Sequence, residues 1–256
     1  MRAADLRERL TGDRAVLGVL SPTRDPVLVE MLGVLGADFY MLDGEHGALT
    51  AADAESLARA CEVAGVPALA RVRSLDPKLI LQFLDAGVSG IMLPGMSTVA
   101  ELEALVSAIK YPPEGRRGLG PVRAARYLLD GQRLDAVVHA ANARTMALPQ
   151  VEDRAAVEAI EALVQVPGVD GFIIGPVDLA LSLGHAADPS HPEVAQAIAH
   201  VVRTVRAAGK LVGTVARTPE HAATLIAQGH RLLLLPIGTL LRESLPRFLS
   251  LSRMPQ

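Results

Sequence analysis

Eight short apolar runs, each bounded by turn residues, divide this chain into repeating units. Between most of them lie longer segments in which apolar residues recur about every 3.6 residues, as in helices with one buried face. This alternation is typical of βα units built on a parallel sheet. Eight units predict an α/β fold with one closed (β/α)₈ barrel, a TIM barrel, rather than an open doubly wound sheet. The runs begin near Val16, Phe39, Pro67, Gly90, Thr145, Gly171, Leu211 and Arg231.

Residues that start helices agree with this division of the chain. The sequence also predicts an N-terminal helix, a short extra helix from Leu128 to Ala141 and an apolar C-terminal helix. A chain of 256 residues is close to the about 250 that one such barrel occupies, so a single domain over residues 1–256 is expected. Three capping side chains stand before prolines suited to the first helical position, in the pairs Asp25-Pro26, Asp76-Pro77 and Thr218-Pro219.

Charge and cysteine content limit the classes of partner. The net charge of -3 comes without any run of like charges, so neither nucleic acid nor a membrane surface is expected as a partner. The single cysteine, Cys61, excludes an intrachain disulfide and lies in an apolar helical pattern, as a core residue would. The N-terminus lacks the apolar centre of a signal peptide. We therefore expect a cytoplasmic protein that acts on small molecules.

Polar side chains follow four of the predicted strands at the points where the strands end. In a (β/α)₈ barrel the active site is formed by the loops after these ends, so the side chains should meet at one mouth. Three ionisable groups within four residues directly after a buried strand must be exposed to water, form ion pairs or take part in binding or catalysis. The residues are Asp43, Glu45 and His46 after the second strand, Arg71 at the third, Gln150 and Glu152 after the fifth, and Gly175, Pro176, Val177 and Asp178 after the sixth.

Each of these residues also has a purely structural interpretation. Asp43 could cap its loop and leave His46 solvated, although clustering at a strand end favours function. Glu152 and Asp178 could equally be helix N-caps. Arg71 could simply pair with a neighbouring carboxylate.

Two further arginine features have competing interpretations. Arg73 is a second candidate for the role of Arg71. The Gly-rich segment with Arg116 and Arg117 resembles an anion-binding loop, but a surface loop with solvated arginines is favoured.

Taken in order, five motifs resemble the class II pyruvate aldolases of the HpcH/HpaI type, which cleave and form 4-hydroxy-2-oxo acids. The resemblance covers almost the whole chain, and five motifs with matching spacing are more specific than any one alone. The motifs are Leu42-Asp43-Gly44-Glu45-His46, Arg71 five residues before Asp76-Pro77, Tyr111-Pro112-Pro113 with Gly115 and Arg117-Gly118, Gln150-Val151-Glu152, and Ile174-Gly175-Pro176-Val177-Asp178-Leu179.

This resemblance implies a divalent metal held by Glu152 and Asp178. Two carboxylates offer hard oxygen ligands and leave positions open for water and a chelating substrate, which suits Mg²⁺ or Mn²⁺, with Co²⁺ or another first-row metal as alternatives. The resemblance also implies that Arg71 faces the oxygen of the 2-oxo acid and that His46, oriented by Asp43, transfers the proton. No organic cofactor is implied.

Other residues are implied to bind the substrate or to support the site. The backbone amides of Gly175 and Val177 are expected at the substrate carboxylate, Pro176 having no N–H to offer. Supporting contacts are expected from two acidic residues, and one of these, Asp85, is expected near His46 across an oligomer contact. The substrate-binding set is Gln150, Gly175, Pro176 and Val177, and the supporting residues are Glu45 and Asp85.

Lysine placement separates metal-dependent aldolases from those that form a Schiff base. The second class needs a desolvated lysine at the barrel mouth. Lys78 and Lys110 fall in helical segments, and Lys210 precedes the seventh strand at the opposite end. A Schiff-base mechanism is therefore not expected.

The expected activity is reversible cleavage of 4-hydroxy-2-oxo acids to pyruvate and an aldehyde. Related enolate chemistry, as in 2-oxo acid decarboxylases or acyl-CoA lyases, and a non-catalytic metabolite-binding barrel remain alternatives. Pro149 and the segment from Leu235 to Thr239 depart from the family pattern, so the resemblance does not determine which aldehyde the outer pocket selects. The resemblance also implies a homo-oligomer, a hexamer in which C-terminal helices pack between neighbours.

Overall fold

Eight parallel strands close into a barrel in which each strand pairs with the next and the last pairs with the first. The computed structural model of the chain describes residues 5–10, 12 and 14–250. Five of the eight predicted starts coincide with the observed ones and three differ by one residue. The predicted barrel is therefore confirmed. The strands are β1 (Val16–Ser21), β2 (Phe39–Asp43), β3 (Ala68–Arg71), β4 (Gly90–Leu93), β5 (Met146–Val151), β6 (Gly171–Ile174), β7 (Leu211–Val215) and β8 (Leu232–Pro236).

Helices surround the barrel and begin at the predicted caps. Asp25, Asp76 and Thr218 each accept a hydrogen bond from a backbone amide in the first turn of a helix. The helices are α1 (Leu6–Arg9), α2 (Pro26–Val34), α3 (Ala51–Ala64), α4 (Pro77–Ala86), α5 (Val99–Ile109), α6 (Leu134–Arg144), α7 (Arg154–Glu158), α8 (Ile160–Leu163), α9 (Pro176–Ser182), α10 (Pro192–Ala207), α11 (Pro219–Ala227) and α12 (Ile237–Leu249).

Strand parity determines which side chains fill the barrel and which reach its mouth. Phe39 and Met41 of β2 point inward and pack with Leu69 of β3 in the interior core. Because side chains alternate along a strand, the next inward positions are Asp43 on β2 and Arg71 on β3, and the same parity places Gln150 of β5 at the mouth. The change from apolar to polar residues along the inward faces of β2, β3 and β5 therefore forms the floor of the mouth.

Inward positions at the ends of three other strands are uncharged. The interior of β1 ends at Leu20, which belongs to the interior core, and that of β7 ends at Val215, which packs against it. On β8 the inward parity of Leu232 and Leu234 places Pro236 at the end, where it also precedes α12. The charged side chains on the strands are thus confined to one half of the barrel mouth.

The extra helix was predicted at the wrong position. The sequence pattern indicated a helix from Leu128 to Ala141, whereas the structure has α6 over Leu134–Arg144, preceded by a 3-10 segment over Arg123–Leu128. The predicted start falls where Leu128 has φ 57°, a left-handed conformation that cannot continue an α-helix.

The terminal helices occur as predicted and lie at opposite ends of the barrel. The side chain of Leu6 on α1 is 2% exposed and packs into the interior core, so α1 closes the amino-terminal end of the barrel. Helix α12 leaves β8 directly and exposes Leu241, Leu245 and Phe248. No helix within the described ranges has both the length and the apolarity needed to span a bilayer.

Candidate active site at the carboxyl ends of the strands

Asp43 and Arg71 form a buried ion pair between neighbouring strands. They are register partners on β2 and β3, so their inward side chains stand side by side. The guanidinium donates from Nε to Oδ1 at 3.0 Å and from Nη2 to Oδ2 at 2.7 Å. Nη1 lies 3.0 Å from Oε2 of Glu45. The hydrogen bonds to Asp43 use one N–H group at Nε and one at Nη2, and the contact with Glu45 is an ion pair without a hydrogen bond, so N–H groups on Nη1 and Nη2 remain for a ligand.

The turn after β2 folds back onto the same carboxylate. Oδ1 of Asp43 accepts the backbone amides of Glu45 and His46, each at 3.2 Å. A Cβ on Gly47 would overlap the carbonyl oxygen of Asp43, so this close approach requires glycine. The glycine and the carboxylate of this motif thus form one local unit that fixes the direction in which His46 leaves the barrel.

Asp43 contacts the backbone amide of His46 and not its imidazole, so it orients this residue through the turn. Its carboxylate is occupied by Arg71 and by the amides of the turn. The side chain of His46 is 69% exposed, and its Nε2 lies 3.8 Å from Oε2 of Glu45. The imidazole is therefore open to solvent beside Glu45 at the carboxyl end of β2.

The pKa of the Asp43 carboxyl lies below its usual value. Burial by itself would raise this pKa, but the hydrogen bonds and charge of Arg71, with the amides of His46 and Glu45, outweigh burial. Asp43 is therefore ionised at neutral pH and holds Arg71 in place, rather than acting as a base.

Glu152 lies just beyond β5 and is held by contacts from two strands. Its Oε1 accepts the backbone amide of Gly95 at 2.8 Å, and its other oxygen accepts the side-chain amide of Gln150. Gly95 follows β4 and was missed by the sequence reasoning, although Pro94-Gly95 directly after an apolar run was an available signal.

The pKa of Glu152 is raised to about 7, mainly by burial and further by the nearby carboxylates of Glu45 and Asp178. The amides of Gly95 and Gln150 oppose this rise without cancelling it. Three carboxylates that repel one another at a strand end are typical of a cation site.

Gln150 and Gly175 pack tightly around this carboxylate. Gln150 is 3% exposed, and its Oε1 is buried with no hydrogen-bond partner among the described residues. A Cβ on Gly175 would lie 2.6 Å from Nε2 of Gln150 and 2.9 Å from Oε2 of Glu152. Glycine at 175 therefore gives the two side chains their space, and the buried oxygen of Gln150 can accept a hydrogen bond from a bound ligand.

The start of α9 brings Asp178 to the mouth but changes the role of Gly175. The amide of Gly175 donates to the carbonyl of Val151 at 3.0 Å, so it cannot bind a substrate carboxylate as expected. Pro176 begins the helix, and no side chain caps it. The amide of Val177 therefore stays the candidate donor, and Asp178 is exposed in the same turn.

The donors at Glu152 and Asp178 fit a divalent metal. Burial, with the charges of Glu45 and Asp178, raises the pKa of Glu152, and a bound cation would lower it again. Carboxylate oxygens and the free oxygen of Gln150 are the hard ligands that Mg²⁺ and Mn²⁺ prefer. Two carboxylates leave open positions for water and for a chelating 2-oxo acid.

A second group of metal-ligand atoms lies in the loop between α9 and α10. His185, His191 and Glu193 each place one such atom within 4.8 Å of the others. The two imidazole rings stack at 3.5 Å with an interplanar angle of 14°, and Nε2 of His185 already pairs with Oε2 of Glu193 at 2.8 Å, away from the strand ends that hold Arg71 and Glu152. The carboxylates at the strand ends are therefore the better candidates for the catalytic metal.

Within one chain, Asp85 lies far from His46, so the structure gives no supporting contact between them. Asp85 is near the end of α4, at the amino-terminal end of the barrel, and accepts a hydrogen bond from Arg117 at 2.9 Å. His46 lies at the opposite end, after β2. An Asp85 beside His46 must come from a second copy of the chain.

The three lysines lie away from the barrel mouth or outside its interior. Nζ of Lys110 donates to the carbonyls of Asn142 and Thr145, each at 2.6 Å. Nζ of Lys210 donates to the carbonyl of Val169 at 2.6 Å, also at the amino-terminal end. Lys78 is exposed at the start of α4. None of the three is placed to form a Schiff base with a substrate in the mouth.

Comparisons with known proteins agree with this geometry. Residues 17–237 match the family described as HpcH/HpaI aldolase/citrate lyase. The chain is 34% identical to the 4-hydroxy-2-oxovalerate aldolase of Rhodococcus jostii (strain RHA1) over 227 residues, which cover 87% of this chain and 85% of that protein. It is 33% identical to the 2-keto-3-deoxy-L-rhamnonate aldolase of Escherichia coli (strain K12) over 238 residues, covering 92% and 87%.

A solved structure extends the similarity to the fold. The HpcH/HpaI aldolase from Desulfitobacterium hafniense DCB-2 superposes with a TM-score of 0.91 at 27% identity, covering 99% of this chain and 98% of that one. The predicted family, the predicted barrel and the predicted class of enzyme, an aldolase within the carbon-carbon lyases, are confirmed. The chain belongs to the HpcH/HpaI aldolase/citrate lyase family.

Proposed function

We propose that this chain is a divalent-metal-dependent aldolase that reversibly cleaves 4-hydroxy-2-oxo acids to pyruvate and an aldehyde. The observation that carries the proposal is the arrangement at the barrel mouth. It combines the buried guanidinium of Arg71 with the carboxylates of Glu152 and Asp178. The pKa of Glu152 is raised to about 7. Cleavage between C3 and C4 leaves an enolate, whose oxyanion needs positive charge that a neutral ketone does not.

Arg71 supplies part of that charge from a fixed position. The N–H groups that Asp43 does not use can donate to the keto oxygen, and the pairs with Asp43 and Glu45 keep the guanidinium from turning away. A divalent cation held by Glu152 and Asp178 would supply the remaining positive charge as a Lewis acid. The substrate carboxylate would lie near the amide of Val177, and Gln150 would accept a hydrogen bond through its free oxygen.

His46 is the proposed proton-transfer group. Its imidazole is exposed in the mouth and is oriented through its backbone by Asp43. In cleavage it would take the proton of the C4 hydroxyl, directly or through water, as the bond between C3 and C4 breaks. The reverse reaction would return that proton to the new C4 alkoxide.

The direct test is aldol synthesis. Incubation with pyruvate, Mn²⁺ or Mg²⁺ and a short aldehyde such as glycolaldehyde should give a 4-hydroxy-2-oxo acid. Proton exchange of pyruvate in deuterated water reports enolate formation without any aldehyde. Exchange with no adduct across a broad aldehyde panel would contradict the aldolase while keeping the enolate chemistry. Metal and pyruvate binding with no exchange would instead indicate a non-catalytic metabolite-binding barrel.

Metal affinity should rise with pH up to about 7. Because Glu152 must lose its proton before it binds a cation, the proton competes with metal below its pKa of about 7. Calorimetry in two buffers of different ionisation enthalpy should show about one proton released per metal at about pH 6 and almost none at about pH 8. Equal proton release at both pH values would contradict the assignment.

The raised pKa of Glu152 predicts that the stability of the metal-free chain falls with pH, whereas metal affinity rises. The folded-state pKa of Glu152 is raised from 4.5 to about 7, so the folded chain keeps a proton that the unfolded chain loses between these values. The contribution of Glu152 to the stability of the metal-free chain therefore falls as pH rises through this interval. Metal should remove the loss, because it stabilises the ionised form.

Assembly and location complete the proposal. The exposed apolar residues Leu241, Leu245 and Phe248 on α12 recur every three or four positions, as in a helix that packs on another surface. They support a homo-oligomer, for which we keep the hexamer implied by the sequence resemblance. In it, Asp85 of a second copy would approach His46. The lone buried Cys61 supports a reducing, cytoplasmic location.

A further inference from the structure

Three side chains that can hold a metal ion meet in the loop between α9 and α10, apart from the strand-end residues of the proposed active site. His185, His191 and Glu193 each offer one ligand atom, and these atoms lie within 4.8 Å of one another. Helix α10 leads from this loop back to the start of β7, so the loop lies on the side of the barrel that carries the mouth. The proposed reaction uses none of the three residues.

The backbone of this loop is held in a tight conformation that brings the two histidines together. Ala186 and Ala187 have φ angles of 46° and 63°, a left-handed conformation that alanine rarely adopts. The amide of Asp188 donates to the carbonyl of His185 at 2.9 Å, and that of His191 donates to the carbonyl of Asp188 at 3.3 Å. Two consecutive turns therefore place His191 next to His185, with strain in the backbone between them.

The two imidazoles and the carboxylate are in contact with one another. The rings of His185 and His191 stack at 3.5 Å between their centroids, with an interplanar angle of 14°. Nε2 of His185 lies 2.8 Å from Oε2 of Glu193, and the side chain of His185 is 20% exposed, so this contact is partly shielded from water. The fold thus brings three metal-binding groups to one place.

Helix capping accounts for only part of this arrangement. His191 is the N-cap of α10, and its Nδ1 accepts the backbone amide of Glu193 at 3.3 Å. Asparagine, aspartate and serine are the usual residues at this position, and a cap needs no second ring. Nε2 of His191 has no hydrogen-bond partner among the described residues, so it is available to an ion. The cap therefore leaves unexplained why His185 packs against this residue.

An ion pair with Arg154 does not occupy the carboxylate either. Nη2 of Arg154 lies 3.6 Å from Oε1 of Glu193, and both side chains are about half exposed. Exposed pairs at this distance contribute little to stability. The pair also uses Oε1, whereas Oε2 is the oxygen that faces His185. Glu193 can therefore bind a cation through Oε2 and keep its contact with Arg154.

The chemistry of the three ligands favours zinc or a related transition metal. Two imidazoles with one carboxylate form a known ligand set for Zn²⁺ with one open position, whereas Mg²⁺ prefers oxygen ligands. Neighbouring ligand atoms of a tetrahedral zinc site lie about 3.3 Å apart, given bonds of about 2.0–2.1 Å. The contact of 2.8 Å between His185 and Glu193 would therefore lengthen by about 0.5 Å. Rotation about the soft χ2 torsions would turn the two stacked rings toward one position.

We propose that His185, His191 and Glu193 form a second metal site, separate from the one at the strand ends, that binds Zn²⁺ or a related transition-metal ion. Water completes the coordination. The ion links the loop after α9 to the first turn of α10, so its binding stabilises this part of the fold. Because the donors at Glu152 and Asp178 are oxygens and those of the loop are mainly nitrogens, the two sites differ in metal preference.

The test uses calorimetry on the untagged full chain, with Zn²⁺ and Mg²⁺ as probes, in a Glu152→Gln background that weakens the strand-end site. This chain should bind about one Zn²⁺ ion, and Mg²⁺ should not compete for it. Two variants remove a ligand and keep its structural contact. Asparagine in His191→Asn can still cap α10, and glutamine in His185→Gln can still donate to Glu193. Each should weaken Zn²⁺ binding by at least about tenfold, since loss of a supporting residue alone typically costs that much.

The matched control in the same background is His200→Gln. His200 lies on α10, and its Nε2 is 3.1 Å from Oε1 of Glu161, so it also pairs with a glutamate but lies outside the three-ligand group. Its replacement should leave Zn²⁺ affinity unchanged. Equal Zn²⁺ affinity in His185→Gln, His191→Asn and the control would overturn the proposal, as would a background chain that binds no Zn²⁺.

Thermal unfolding separates a metal site from a purely structural cluster. Without metal, His191→Asn and His185→Gln should unfold near the temperature of the background chain, because the cap and the hydrogen bond are kept. Zn²⁺ should raise the unfolding temperature of the background chain and the control but not of these two variants. Lower unfolding temperatures in both variants, with no effect of Zn²⁺ on any chain, would show a structural role and overturn the proposal.

These outcomes do not depend on the proposed activity. If Glu152 is not a ligand, the Glu152→Gln chain keeps the strand-end site and binds a further metal ion that His191→Asn does not remove. Failure of the strand-end assignment therefore adds a site, whereas failure of the loop site removes the effect of the histidine variants. Co²⁺ gives a spectroscopic check, because a four-coordinate site with imidazole ligands absorbs strongly in the visible range and His185→Gln should weaken that absorption.

Discussion

Replacing Glu152 with glutamine should lower metal affinity by at least about 100-fold, since the loss of a supporting residue alone typically costs 10- to 100-fold. Glutamine keeps the shape of the side chain and its packing against Gly175, but it removes the charge that attracts the cation. The change also removes a buried charge, whose burial and repulsion by Glu45 and Asp178 raise the pKa of this carboxyl, so the metal-free variant should be at least as stable as the parent chain above about pH 7. Metal titration by calorimetry and aldol cleavage rates measure the two effects.

A matched control for this variant is Glu158→Gln. Glu158 is an exposed glutamate on α7, six residues further along the chain, and does not belong to the strand-end cluster. Its replacement should leave metal affinity and turnover unchanged. Metal affinity retained in Glu152→Gln, with the fold intact by circular dichroism, would reject Glu152 as a ligand.

Replacing Arg71 with lysine should lower kcat by about 100-fold, the typical cost of removing one oxyanion donor. Lysine keeps the positive charge next to Asp43 and Glu45, which protects the fold from two unpaired carboxylates. It cannot keep the bidentate pair with Asp43 and also present fixed donors to the substrate. Because the lost contact strengthens as the enolate forms, kcat should fall much more than KM rises.

Arg73→Lys tests whether the correct arginine was identified. Arg73 is exposed just past the end of β3, and its replacement should leave kcat unchanged. A larger loss in Arg73→Lys than in Arg71→Lys would move the oxyanion role to Arg73. Pyruvate proton exchange in deuterated water should follow the same order, because it reports the enolate step alone.

The barrel could be predicted from the sequence because the helix-capping residues and the spacing of the apolar runs indicate the same division of the chain. Capping residues such as Asp25 and Thr218 occur directly before the predicted helices, and apolar runs of strand length recur eight times. The exception is the region before β5. Its three successive left-handed residues, from Arg126 to Leu128, interrupt the chain between the predicted helix start and α6, and such a conformation leaves no mark in hydrophobic periodicity.

The site was predictable as a set of residues but less so as a set of contacts. Strand-end position was enough to bring Asp43, Arg71 and Glu152 to one mouth. It could not show that Asp43 would bind Arg71 instead of the imidazole of His46, because that choice depends on the register of β2 and β3. Backbone donors such as Gly95 carry no chemical signature in a sequence, and the amide of Gly175 proved to be used within the sheet.

The confinement of charged residues to one half of the barrel mouth has a consequence for how enzymes of this kind can diverge. The charged groups lie on β2 and β3 and after β5 and β6, whereas the inward rows of β1, β7 and β8 end at Leu20, Val215 and Pro236. The charged groups and the uncharged strand ends are thus encoded in different parts of the chain. Substitutions at the strand ends of β1, β7 and β8 can change the shape of that side of the mouth while the ion pair of Asp43 and Arg71 and the carboxylate of Glu152 stay in place.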